Sequence, residues 1–117
     1  MIYVFAIFLL IAGVNHFYNP SFYEPFMPDW MPKDLANWSS GLVEIIIGGL
    51  MLLPSTHLLG LWGALVLMIL FLPIHVLDLL KDQPAIGSKG AAVFRLLLQF
   101  ILIAWLVWEV RKYYDAL

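Results

Sequence analysis

The sequence predicts an all-α integral membrane protein, a four-helix bundle with an irregular aromatic and proline-rich lid between its first two helices. Three observations carry this reading. Of 117 residues, 63% are hydrophobic and 12% charged, and the mean hydropathy is +0.93; soluble domains carry roughly 25% charged residues. Four apolar stretches approach the roughly 20 residues that a membrane span needs. The few ionisable residues inside those stretches gather toward one end of the bundle. The chain reads as a single transmembrane domain over residues 1–117.

The first helix is expected over about residues 2–18. It follows Met1 with no basic segment before it and no small-residue cleavage site after it, so it reads as a retained helix and not a signal peptide. Pro20, Pro25, Pro28 and Pro32 then forbid a regular helix. The aromatics among them, Tyr23 and Trp30 included, suit an interfacial lid or a simple amphipathic anchor. The second helix is expected over about residues 35–53. Pro54-Ser55-Thr56-His57 makes a tight turn into the third, about 58–80, which contains Pro73. The polar stretch from Lys81 to Gly90 carries strong turn signals, and the fourth helix covers about residues 91–113.

The second helix organises the rest. Gly41, Glu44 and Gly48 share one face, and small residues there admit a close neighbour. A lone carboxylate in hydrocarbon is costly, so Glu44 must be neutral, paired or facing water. With four spans, Asn15 and His16, Glu44, His75 and Asp78, and Arg95 with Gln99 all fall in the half of the bundle nearer the lid, at about 1.5 Å of rise per residue. Glu44 and Arg95 are each the obvious partner for the other, directly or through one water. The pair reads either as a register-fixing ion pair or as a functional one. His16 and His75 read as ligands or as residues near helix ends. Asn15 suits a C-terminal cap, Gln99 interhelical glue, and Asp78 headgroup water. Pro73 reads as a kink, or as a device that aims His75 inward.

The candidate ligand-binding residues are therefore Asn15, His16, Glu44, His75, Arg95 and Gln99. His16, Glu44 and His75 form a two-histidine, one-carboxylate set, but without the short spacing of a metal motif, and no metal is assigned. The chain has no cysteine, no nucleophile motif, no phosphate loop and no haem signature. A net charge of −2 and the lack of a basic stripe exclude nucleic acid. The partners expected are the lipid bilayer, a membrane or redox protein, or further copies of the chain. Lysines at 33, 81 and 89 oppose Arg111, Lys112 and the amino terminus, so charge does not orient the chain.

Gly13-Val14-Asn15-His16-Phe17 with Pro20 and Tyr23, the Pro28 to Pro32 lid, Ser40-Gly41 with Glu44 and Gly48, Pro73-Ile74-His75, and Arg95 with Gln99 and Trp105 together resemble the DoxX family of small four-helix membrane proteins. The resemblance spans nearly the whole chain. The matching polar positions are His16, Glu44, Arg95 and Gln99. Relatives of that family often carry Ala-Asn after the third-helix proline, where this chain has Ile74-His75, and basic residues in the short second loop, which reads Pro54-Ser55-Thr56-His57-Leu58 here. The resemblance implies a redox-associated subunit of the bacterial inner membrane, multi-pass, with both termini cytoplasmic. A quinone-like or other small apolar ligand would lie in an outer-side polar cavity. A non-enzymatic assembly factor, scaffold or chaperone for a larger membrane complex is the alternative. A small-solute transporter is disfavoured, because four helices without a visible repeat offer little for alternating access.

Overall fold

A computed structural model describes residues 1–82, 84 and 87–116 of the chain. It is all-α, with four long helices: α1 (Ile2–Tyr18), α2 (Lys33–Leu52), α3 (His57–Leu79) and α4 (Lys89–Asp115). They belong to two compact units, Met1–Ala64 and Leu65–Leu117, whose boundary falls within α3.

In the first unit α1 and α2 pack antiparallel in a register set by small residues. A Cβ on Gly13 would lie 2.7 Å from the Gly41 carbonyl oxygen, and one on Gly41 would lie 2.8 Å from the Gly13 carbonyl oxygen. Seven residues further along α2, a Cβ on Gly48 would lie 2.9 Å from the Ala6 carbonyl oxygen. Backbone meets backbone at both crossings, the packing mode that small residues permit between helices in lipid. Phe5, Ala6, Leu9, Ile47, Met51 and Leu61 are buried in this unit.

Between α1 and α2 the prolines act as expected. Pro20–Phe22 and Glu24–Phe26 form single 3₁₀ turns, each with proline in its first turn. After Pro32 the chain becomes helical at once, so α2 starts at Lys33, two residues before the apolar run. At its other end, Thr56 donates to the Leu50 carbonyl at 2.8 Å, and His57 Nδ1 lies 2.8 Å from the Met51 carbonyl. These side chains satisfy carbonyls that a helix end leaves open. Gly60 then passes the end of α2 where a Cβ would lie 2.6 Å from the Met51 nitrogen.

In the second unit, Pro73 sits inside α3. It has no N–H to give the carbonyl four residues back. One residue from that position, the Met68 carbonyl accepts from Gln99 Nε2 of α4 at 2.8 Å. Lys89 Nζ donates to the Leu79 carbonyl at 2.6 Å, closing the C-terminal end of α3. Gly87, at φ +126, takes the backbone conformation that glycine tolerates best. Ser88 then caps α4, its Oγ accepting from the Ala91 N–H at 3.1 Å. The helix therefore begins before the apolar run and continues to Asp115, past it. Of the expected polar loop, residues 83, 85 and 86 lie outside the described set.

By length and composition α2, α3 (with Pro54–Thr56 before it) and α4 can each cross a membrane. A fourth candidate span combines α1 with the chain from Pro20 to Phe26, which turns through 104° after it. Large apolar side chains remain exposed along every helix, Phe8, Ile11, Ile46, Leu70 and Ile101 among them. In water that would be untenable; in lipid it is the required outer surface. The chain is a multi-pass helical membrane protein.

Candidate functional site

In the first unit the site begins with Pro20, whose carbonyl can only accept. Asn37 Nδ2 donates to it at 3.4 Å, which leaves Asn37 Oδ1 facing His16 Nδ1 at 3.0 Å. An amide oxygen can only accept, so Nδ1 carries the proton and donates. The opposite ring nitrogen, Nε2, then faces Glu44 Oε2 at 3.5 Å. All three residues are buried, with Asn37 1% exposed, Glu44 4% and His16 5%.

The approach of His16 to Glu44 follows from helix geometry. With Gly13 opposite Gly41, His16 lies level with about residue 38, and Glu44 is about 9 Å further along the axis. Side chains lean toward the N-terminus of their own helix. Because α1 and α2 run in opposite directions, the imidazole and the carboxylate lean toward each other and close that offset.

One proton fits between them. It makes either an imidazolium beside a carboxylate or an imidazole beside a carboxylic acid, and the pair is neutral overall in both states. Such a pair escapes most of the cost of an isolated buried charge. Glu44 Oε2 has no hydrogen-bond partner of good geometry among the described residues. Above the pair, the Tyr23 ring stacks on the imidazole with centroids 3.7 Å apart and planes at 17°. The Tyr23 hydroxyl donates to the Ala12 carbonyl at 3.2 Å and accepts from Asn15 Nδ2 at 3.1 Å. Asn15 thus holds the lid and does not cap α1 with its side chain; the helix ends at Asn19, whose N–H reaches the Asn15 carbonyl.

The second unit holds a separate cluster. Arg95 Nη2 lies 2.6 Å from His75 Nδ1. A guanidinium can only donate, so Nδ1 accepts and this imidazole is the neutral Nε2–H tautomer. The same Nη2 is 3.7 Å from Asp78 Oδ2, and Lys81 Nζ is 3.7 Å from Asp78 Oδ1. Asp78 is 0% exposed, which corrects its expected place in headgroup water. Two cations surround it, and that is what permits its burial. Gln99 is committed to α3 through the Met68 carbonyl, as interhelical glue.

Asn15, His16 and Glu44 come together in the first unit, and His75, Arg95 and Gln99 lie in the second. Glu44 and Arg95, expected to approach each other, each have a partner inside their own unit. Asn37, Tyr23 and Asp78 were missed as site residues. A signal existed for Asn37, since position 37 lies four residues before Gly41 on the same helix face. For Asp78 the signal was its spacing of three from both His75 and Lys81. No group of three or more His, Cys, Asp or Glu side chains among the described residues is arranged to hold a metal ion.

A family model described as a domain of unknown function, DUF8561, matches residues 5–111. No curated protein and no solved structure matches the chain.

Proposed function

We propose that this chain, which belongs to the DUF8561 family, is a redox-associated membrane protein that holds a quinone-like or other small carbonyl-bearing apolar molecule at His16 and Glu44. The observation that carries the reading is Glu44 Oε2, buried and without a well-formed hydrogen bond, beside His16 Nε2. A buried polar atom in that condition calls for a further polar partner, and we assign that place to a polar atom of the ligand. The pair holds one exchangeable proton whose position costs little net charge. Reduction of a quinone consumes two protons and two electrons; the pair would pass protons, and a partner redox protein would supply electrons. The DoxX resemblance, which rests partly on His16 and Glu44, supports the same reading. On that resemblance we also propose a bacterial inner membrane as the chain's location, with both termini cytoplasmic.

The test is retention. Protein extracted in mild detergent should carry a quinone that solvent extraction and mass spectrometry identify. Glu44→Gln, folded by circular dichroism, should retain about tenfold less, the order expected for losing one hydrogen bond to an ionised group. Wild-type protein that holds no quinone, and takes up none from added short-chain quinone, would overturn the reading.

A second reading has its own observation. In the Arg95, His75 and Asp78 cluster, charged groups serve one another across α3 and α4. That is the arrangement of a structural brace, and it suits a non-enzymatic assembly factor or scaffold for a larger membrane complex, or a chain that pairs with its own copies. A stoichiometric protein partner in a mild-detergent pull-down, without bound quinone, would favour it.

A further inference from the structure

The last three turns of α4 carry a groove of about 440 Å³ lined by Ala104, Val107, Trp108, Arg111, Lys112 and Asp115. The lining changes character in a fixed order along the helix: apolar, indole, cationic, anionic. Lys112 Nζ is held in place, 4.4 Å from the centre of the Trp108 ring and 3.7 Å from Glu109 Oε1. Among the described residues Arg111 and Asp115 have no ion pair or side-chain hydrogen bond, and both are exposed. Toward the other end of the helix, the exposed side chains of Leu97 and Ile101 continue the apolar surface away from the groove.

The geometry points to a binding site for one phospholipid whose headgroup bears a primary ammonium beyond its phosphate. The molecule repeats the order of the groove. Acyl chains lie along Ile101, Ala104 and Val107, and the ester region meets Trp108, a residue type suited to that depth. The phosphate meets Arg111 and Lys112, one turn further on at about 5 Å of rise. The ammonium meets Asp115, about 4.5 Å beyond Lys112. Charge separates this lipid from its neighbours. Against Glu109 and Asp115, Arg111 and Lys112 leave no net positive charge in the groove, so an anionic headgroup without an ammonium gains on the cations and loses at Asp115. A choline headgroup cannot donate a hydrogen bond to Asp115. Its usual aromatic seat, the indole face, carries Lys112.

The experiment reconstitutes the full chain into bilayers holding equal parts of phosphatidylethanolamine, phosphatidylglycerol and phosphatidylcholine. Lipids that remain bound on gentle release are then read by native mass spectrometry. Phosphatidylethanolamine should exceed each of the other two about fivefold, the ratio expected from one partly exposed ion pair. Asp115→Asn should abolish its lead over phosphatidylglycerol, and Arg111→Gln should lower retention of both. Both substitutions lie on an exposed surface, so the protein stays folded. Equal retention of the three lipids, a preference for phosphatidylglycerol, or an unchanged preference in Asp115→Asn would overturn the proposal.

Discussion

The proton between His16 and Glu44 decides what each substitution there costs. Glu44→Leu leaves the His16 Nε2 buried without a partner, and His16→Leu does the same to the carboxyl group. Breaking a buried pair by removing one member costs about 3–5 kcal/mol, whereas replacing both members with apolar residues removes the stranded group. The double variant His16→Leu with Glu44→Leu should therefore be less destabilised than the sum of the singles, by about 1 kcal/mol or more. Unfolding titrations in detergent measure this, and strict additivity would refute the pairing. The ionisable residues were legible in the sequence because an acid or base in an apolar run stands out. Their pairing was not. Depth along the membrane makes Arg95 as plausible a partner for Glu44 as His16, and the choice depends on helix register and on which way each side chain leans. Tyr23 among prolines reads as an interfacial aromatic, and only the turn of the chain after Tyr18 brings its ring onto His16.

At the scale of the helix, the contact of α1 with α2 was partly legible. Gly41 and Gly48 announce a close crossing, but not which helix makes it. Gly13 and Ala6 supply the same seven-residue spacing in reverse, and matching the two spacings gives the register. Gly13→Ala puts a methyl group 2.7 Å from the Gly41 carbonyl oxygen, a backbone atom that cannot yield as a side-chain tip can. It should cost about 1–3 kcal/mol, the range for overpacking. Gly49→Ala, on the same helix as Gly41, meets nothing within 4 Å and should be neutral or gain up to about 1 kcal/mol from helix propensity. Thermal unfolding of the two variants side by side checks both values. Loss of stability in both would mean that an added methyl is costly whether or not it meets the facing helix, and would remove the argument from close approach.

For the whole molecule, the four helices follow from hydropathy, because 20-residue apolar runs have few alternatives. Helix ends were less legible, since polar first turns such as Lys33-Asp34 belong to α2 without being apolar. The number of crossings turns on α1. Its 17 residues span about 26 Å, near the thickness of a bilayer core, and the chain bends sharply just after it. If α1 crosses, the count is four and both termini lie in one compartment, the cytoplasm in the reading proposed above. Reporters fused before Met1 and after Leu117 should therefore agree. Opposite signals would mean three crossings, with α1 lying in the interface.

The two polar clusters also have an order in time. His16 is synthesised before Glu44, and His75 and Asp78 before Arg95. In both clusters the later residue emerges after its partner has been made. Glu44 and Arg95 are the residues that a nascent helix would least readily release into lipid alone, at about 2.5–3.5 kcal/mol for a charged side chain at mid-membrane. Each can be neutralised by the helix made just before it. If α1 crosses, this order lets the chain enter the membrane as two successive hairpins, each carrying its own counter-ion.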